Sequence, residues 1–251
     1  TAEVYMLDIS SASGVSITGS DPAGVFYGIQ SLMALLPVDF YIMSQRKILV
    51  PTVRVEDAPR FPYRGQHLDV CRNFFSKNAV LKLMDRMAFY KLNTLQLYLS
   101  EDEGWRMEIE AIPELTAVGG QRQHISKAAA ALHPSYGSGP IAYEEGTHGS
   151  GFYTRADFIE MLQYAKERHI TLIPTINFPG HARAAIKAME TRYRRFMAKG
   201  KEQLANEYRL IDPDENSQYS SAQGYDYNAV NVARDSAYRF YETVIKSISD
   251  M

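Results

Sequence analysis

The hydrophobic and polar positions of this chain fall into two regimes that meet near residue 60. In the first, Val4 to Ile9 and Gly14 to Thr18 read as two short strands separated by Ser-Ser-Ala-Ser. Asp21-Pro22 then supplies a helix N-cap and a first-turn proline. Val25, Ile29, Leu32, Met33 and Leu36 recur at helical spacing until Pro37 stops the helix. Arg46 to Val55 reads as a third strand, with Pro51 marking it as an edge. Residues 1–58 are thus expected to be a small α+β domain, closed by the proline-rich run from Asp57 to Pro62.

From Tyr63 onward, strand and helix patterns alternate. Strands are predicted over Gly65–Val70, Thr94–Leu99 and Thr171–Ile176. Helices are predicted over Ser76–Leu92, from Thr154 onward, over Gly180–Met197 and over Asp235–Ile248. The first helix gathers Val80, Leu83, Met84 and Met87 on one face. The second opens on a capping box of Thr154 and Asp157, and its core face is Phe158, Met161, Leu162 and Ala165. Residues 110–150 form a long insertion, of a length usually functional or mobile. Residues 200–232 are polar, tyrosine-rich and irregular. Alternation of this kind implies a parallel sheet with right-handed crossovers. The expected fold class is α/β.

Composition narrows the picture only slightly. The chain has 251 residues, 45% hydrophobic and 22% charged, as in ordinary globular proteins. A net charge of −2 gives no reason to expect nucleic acid or an anionic membrane as partner. No apolar run approaches the roughly 18–20 residues of a membrane span. No signal peptide is visible, and the start at Thr1 leaves room for an upstream segment. Cys71 is the only cysteine, so intrachain disulfides are impossible and a thiol-ligated metal is not expected.

The chemistry-bearing side chains cluster just after the predicted strands, where parallel α/β folds keep their sites. Arg72 follows the first. Its guanidinium is a planar fork able to hold two adjacent hydroxyls, or else a surface salt-bridge partner. Ser100-Glu101-Asp102-Glu103-Gly104-Trp105-Arg106 follows the second strand, and ionised carboxylates accept hydrogen bonds from sugar hydroxyls. Trp105 is either a sugar platform or a core anchor; the Met107/Ile109 alternation behind it favours the core. The three acids lack calcium-loop spacing, so no metal and no cofactor are expected. Asn177-Phe178-Pro179-Gly180-His181 follows the third strand; its Pro-Gly turn can present His181 at a pocket mouth, to orient or tune an acid. A helix-capping histidine is the other reading. His124, His133 and His148 have no ligand spacing and are expected to face solvent, as is the pair Glu144-Glu145. Phosphate-binding glycine motifs and a Gly-x-Ser-x-Gly elbow are absent from the sequence.

Taken in series, these segments resemble family 20 glycoside hydrolases, the β-N-acetylhexosaminidases, most closely the bacterial chitobiase branch. The matching words are Arg64-Gly65 with Asp69-Val70-Cys71-Arg72, Met87 to Asn93, Ser100 to Arg106, and Pro179-Gly180-His181-Ala182-Arg183-Ala184-Ala185. Gly24 to Leu32 resembles the end of the small domain that precedes the family's barrel. The resemblance implies the front of a (β/α)8 barrel from residue 59 to 251, and a site for terminal, non-reducing N-acetylglucosamine. It implies that Arg72, Glu101 and Asp102 bind sugar hydroxyls, and that His181 supports the catalytic acid with Asn177 bracing the histidine. It further implies substrate-assisted, retaining hydrolysis, in which the acetamido oxygen attacks the anomeric carbon.

The Asp-Glu pair of that mechanism belongs in a Gly-Gly-Asp-Glu-like word, which does not occur here; it is expected beyond Met251. Asp214-Glu215 sits in a polar loop and does not take the role. The family usually has Asp where this chain has Glu101, and Glu and Asp where it has Thr175 and Asn177. The alternative reading is a non-catalytic carbohydrate-binding or structural unit. Three parallel strands with a bare edge predict self-association or a partner supplying the rest of the barrel. Family resemblance points to a periplasmic or secreted protein.

Overall fold

Local signals start most of the elements, and the computed structural model, which describes residues 2–42, 47–124 and 130–251, shows which survive. Packing divides the chain into two compact units. One comprises Thr1–Gln66, Leu81–Leu95 and Leu162–Leu172; the other comprises His67–Val80, Gln96–Met161 and Ile173–Met251.

In the first unit, β1 (Tyr5–Ser10) lies between β2 (Gly14–Gly19) and β3 (Val53–Asp57), antiparallel to both. Every second residue of β1 faces inward: Tyr5, Leu7 and Ile9 are buried with Tyr27 of α1 (Pro22–Leu35). The Asp21 carboxylate accepts a hydrogen bond from Gly24 N at 2.8 Å, and Pro22 occupies the first turn, as the cap signal predicts. Gly28 lets α1 approach β2, since a Cβ there would stand 2.5 Å from a methyl of Ile17. A short helix α2 (Val38–Ile42) follows Pro37, and one expectation needs correction. The third strand begins at Val53, because β1 offers partners only to residues 53–57 and Pro51 has no N–H to give. Arg46 lies outside the described residues.

The remaining elements are β4 (Gly65–Asp69), α3 (Lys77–Phe89), β5 (Thr94–Tyr98), β6 (Ser100–Glu101), β7 (Gly104–Trp105), α4 (Glu114–Ala117), α5 (Arg155–Lys166), β8 (Thr171–Thr175), α6 (Arg183–Met197), α7 (Glu202–Asn206) and α8 (Asp235–Ser249). Strands β4, β5 and β8 form one sheet in that order. At one end Asn93 N bonds Arg64 O and Thr171 N bonds Asn93 O; at the other Val70 N bonds Tyr98 O and Leu99 N bonds Thr175 O. The three strands therefore run parallel, with a helix between each consecutive pair, and the fold class is α/β.

The capping box at α5 forms as read: Thr154 Oγ1 accepts from Asp157 N at 3.1 Å, and Asp157 returns an acceptor to Thr154 N at 3.0 Å. Helix α6 starts three residues later than predicted, so His181 lies outside it. The 110–150 insertion is not bare loop. It contributes buried Ile112, Leu115, Val118, Ala131 and Leu132. Trp105 is 1% exposed, donates its indole N–H to Met107 O at 2.6 Å, and stacks edge-on with Phe240 of α8. It is a core anchor and not a sugar platform.

Candidate active site

The carboxyl ends of β4, β5 and β8 carry the polar groups. Past β4, Asp69 closes a turn by accepting from Cys71 N at 2.8 Å and Arg72 N at 3.1 Å. Its other oxygen holds Arg72 Nη1 at 2.5 Å. Past β5, the chain folds into a hairpin whose register pairs Ser100 with Trp105 and Glu101 with Gly104. Asp102 and Glu103 are its two-residue turn. Glu101, Asp102 and Glu103 are all buried.

Glu101 joins two of the predicted residues. Its Oε1 accepts a short hydrogen bond from Arg72 Nη2 and lies 2.7 Å from His181 Nδ1. Its Oε2 accepts from Asp102 N. Burial, opposed by that backbone bond and by Arg72 but reinforced by Asp102 and Glu103, pushes the Glu101 carboxyl up to about 8. Burial pulls the Arg72 guanidinium down, but Asp69, Glu101 and Glu103 more than offset this and hold it charged.

Asp102 turns to helix α6. Its Oδ1 accepts from Arg183 N at 3.0 Å, giving α6 the acceptor that its own N-cap, Ala182, lacks. Its Oδ2 accepts from the Asn228 amide at 2.9 Å and stands 3.7 Å from His181 Nδ1. His181 occupies left-handed backbone, φ 53°, a conformation that a non-glycine residue adopts only where its surroundings hold it. Those surroundings are the polar 200–232 segment: Ala182 N bonds Asn228 O, and Val230 N bonds Pro179 O.

Asn177 is not brought to His181. Its side-chain amide donates to Tyr98 Oη at 2.6 Å and Ser100 O at 2.8 Å, while its N–H reaches Ser100 Oγ at 2.8 Å. Tyr98 lies beneath Arg72, with the guanidinium 5.9 Å from its ring centre. Asn177 therefore ties β8 to β5 on the Arg72 side, and the expected brace on the histidine is corrected. His124, His133 and His148 are exposed, as are Glu144 and Glu145.

Glu101, Asp102 and His181 each place a ligand atom within 4.8 Å of the others, a spacing that a metal ion could use. The carboxylate oxygens are, however, already engaged by Arg72, His181, Asn228 and backbone N–H groups.

Sequence reasoning missed Asn228, which looked like one more polar loop residue, and the buried pair Arg106 and Arg122. It also undervalued Asp69, although an acid three residues before an arginine at a strand end is an available turn signal.

Residues 61–251 match the glycosyl hydrolase family 20 catalytic domain, and residues 1–58 match the domain 2 of that family. The chain belongs to glycosyl hydrolase family 20. It is 44% identical over 98% of its length to a β-hexosaminidase of Vibrio vulnificus, and covers 28% of that protein. It is 45% identical over 95% of its length to the N,N'-diacetylchitobiase of Vibrio harveyi, covering 26% of it. Among solved structures it superposes on the family 20 exo-β-N-acetylglucosaminidase of Vibrio harveyi in complex with N-acetylglucosamine. The TM-score is 0.83 at 31% identity, with 100% of this chain and 34% of that one covered. This family 20 chain thus spans under a third of the length of these two curated relatives.

Proposed function

We propose that this chain is the front part of a β-N-acetylhexosaminidase that removes terminal, non-reducing N-acetylglucosamine from chitin oligosaccharides or related glycans. One observation carries the reading: Arg72 forks between Asp69 and Glu101, and the same Glu101 oxygen meets His181, all at the carboxyl ends of parallel strands. A guanidinium so held keeps a fixed orientation toward a pair of sugar hydroxyls. Glu101 and Asp102 accept hydroxyl hydrogens beside it. His181 faces the leaving-group side and supports the acid. In this reading residues 1–58 precede the barrel, β4, β5 and β8 are its first three strands, and the catalytic Asp-Glu pair lies outside residues 1–251. The reaction is the substrate-assisted one, with the acetamido oxygen as nucleophile. Among the described residues no helix is long and apolar enough to cross a membrane. Export to the periplasm or medium, where chitin fragments occur, is part of the proposal.

The test is hydrolysis of a chromogenic N-acetyl-β-glucosaminide by the longest natural form of the protein, with and without Arg72→Ala. Turnover by the longer form, lost in the variant, supports the reading. Binding of N-acetylglucosamine without turnover in the longer form supports a non-catalytic carbohydrate-binding role instead. Neither binding nor turnover removes both.

A further inference from the structure

Arg106 and Arg122 are 0% and 1% exposed, and among the described residues neither forms an ion pair with a carboxylate. Their hydrogen bonds go to backbone carbonyls and one hydroxyl. Arg106 reaches Val70 O at 3.1 Å, Cys71 O at 2.7 Å, Gly149 O at 3.0 Å and Gly151 O at 2.9 Å. Arg122 reaches Gly149 O at 2.8 Å, Ser135 O at 3.0 Å, Ser135 Oγ at 2.8 Å, Cys71 O at 3.2 Å and Arg72 O. The two guanidinium groups share Cys71 O and Gly149 O, so like charges lie side by side.

Burying two like charges together is unfavourable. What offsets it here is the set of strand-end and loop carbonyls that have no sheet partner and would otherwise be unsatisfied. The two arginines divide that work. Both grip Cys71, but only Arg122 grips the carbonyl of Arg72 and ties residues 135–136 to it. The N–H of Arg72 is held by Asp69 from the other side. With both its N–H and its carbonyl held, the Cα–Cβ bond of Arg72 has a set direction, from which its guanidinium reaches Asp69 and Glu101.

We propose that Arg122 is a positioning residue for Arg72, setting the affinity of the site for sugar hydroxyls without touching the sugar. This rests on Arg72 being the sugar-binding arginine. Among the described residues no hydrogen bond or ion pair joins Arg122 to His181, so its loss falls on binding more than on the chemical step. Nor is its role one of charge alone. A lysine keeps the charge but, with one ammonium, cannot span carbonyls of three segments.

Arg122→Lys and Arg122→Gln in the longest natural form test this, with steady-state hydrolysis of a chromogenic N-acetyl-β-glucosaminide and calorimetric binding of N-acetylglucosamine. Both variants should raise KM and the Kd for N-acetylglucosamine together, by about 10- to 100-fold, as for misplacement of a binding group by an ångström. The kcat should change far less. Wild-type KM and Kd in a folded Arg122→Lys protein would overturn the inference. If the Arg122 variants do not fold, Ser135→Ala removes one acceptor of Arg122. It must raise KM in the same direction, and an unchanged KM overturns the inference equally. An inactive, non-binding wild type overturns the reading of the site itself, whereas an active wild type with unaffected variants overturns only the role of Arg122.

Discussion

Glu101 governs how the site responds to pH. Its carboxyl is raised from 4.5 to about 8, chiefly by burial, so the folded chain keeps a proton that the unfolded chain has released. Unfolding between those values releases a proton, and this group's contribution to stability is fully present below pH 4.5 and lost as pH rises through about 8. Glu101→Gln should flatten that slope: its melting temperature should change less than the wild type's between pH 5 and 8.5, and parallel curves would contradict the assignment. Asn177 gives a second prediction. Its amide donates to Ser100 O, and an aspartate cannot do so while ionised. Asn177→Asp should lose about 1–3 kcal/mol at neutral pH, the usual cost of an unmatched buried acceptor. The loss should shrink on acidification, as the new carboxyl regains a proton to donate; a melting temperature equal to wild type at pH 7 would rule this out. At this scale the sequence was informative about residue type and weaker about partners. Arg72, Glu101, Asp102 and His181 do converge. Asn177 instead bonds Tyr98 and Ser100.

Elements with their own punctuation were legible. Helix α1 carries Asp21-Pro22 and stops before Pro37, and α5 carries the Thr154/Asp157 box; both formed where the local signals put them. Lys77 and Thr154 hold the Asp157 carboxyl below its ordinary value, so its contribution is present at neutral pH and fades on acidification. Asp157→Ala should cost about 1 kcal/mol, as for loss of a helix cap. Hydrogen exchange should show faster exchange at the first turn of α5, and unchanged protection there would count against the box. Elements without such signals were harder to read. The hairpin β6–β7 is four strand residues long and has no Gly-rich turn to announce it; its turn is made of Asp102 and Glu103. The late start of β3 depended on how far β1 could pair, which is not local information. Residues 135–136 and 149–151 are held by Arg106 and Arg122, whose acceptors lie up to 51 residues away.

For the whole molecule, the sheet and last helix leave apolar surface uncovered. Ile173 and Phe178 are 40% and 44% exposed, and Tyr238 and Ile245 of α8 57% and 60%. Pro174, Ile176, Phe178, Tyr238, Tyr241 and Ile245 line a cavity of about 490 Å³. Surface of this kind is rarely left bare in water, so the 251-residue polypeptide, expressed as such, should self-associate. Sedimentation velocity should show species above monomer mass that Ile245→Lys and Phe178→Ser diminish; a strictly monomeric, cooperatively unfolding chain would overturn this. The sequence by itself determined the order of strands and helices, the α/β class, the local caps, and which polar residues stand at strand ends. These follow from periodicity and from side chains acting on backbone a few residues away. Tertiary structure alone decided the rest. It set the two-unit packing, the burial that raises Glu101, the capping of α6 by Asp102 from a distant hairpin, and the pairing of Arg106 with Arg122 under the Arg72 turn. Each of these depends on desolvation or on donors and acceptors far apart in the chain, and neither quantity is written in any local stretch of residues.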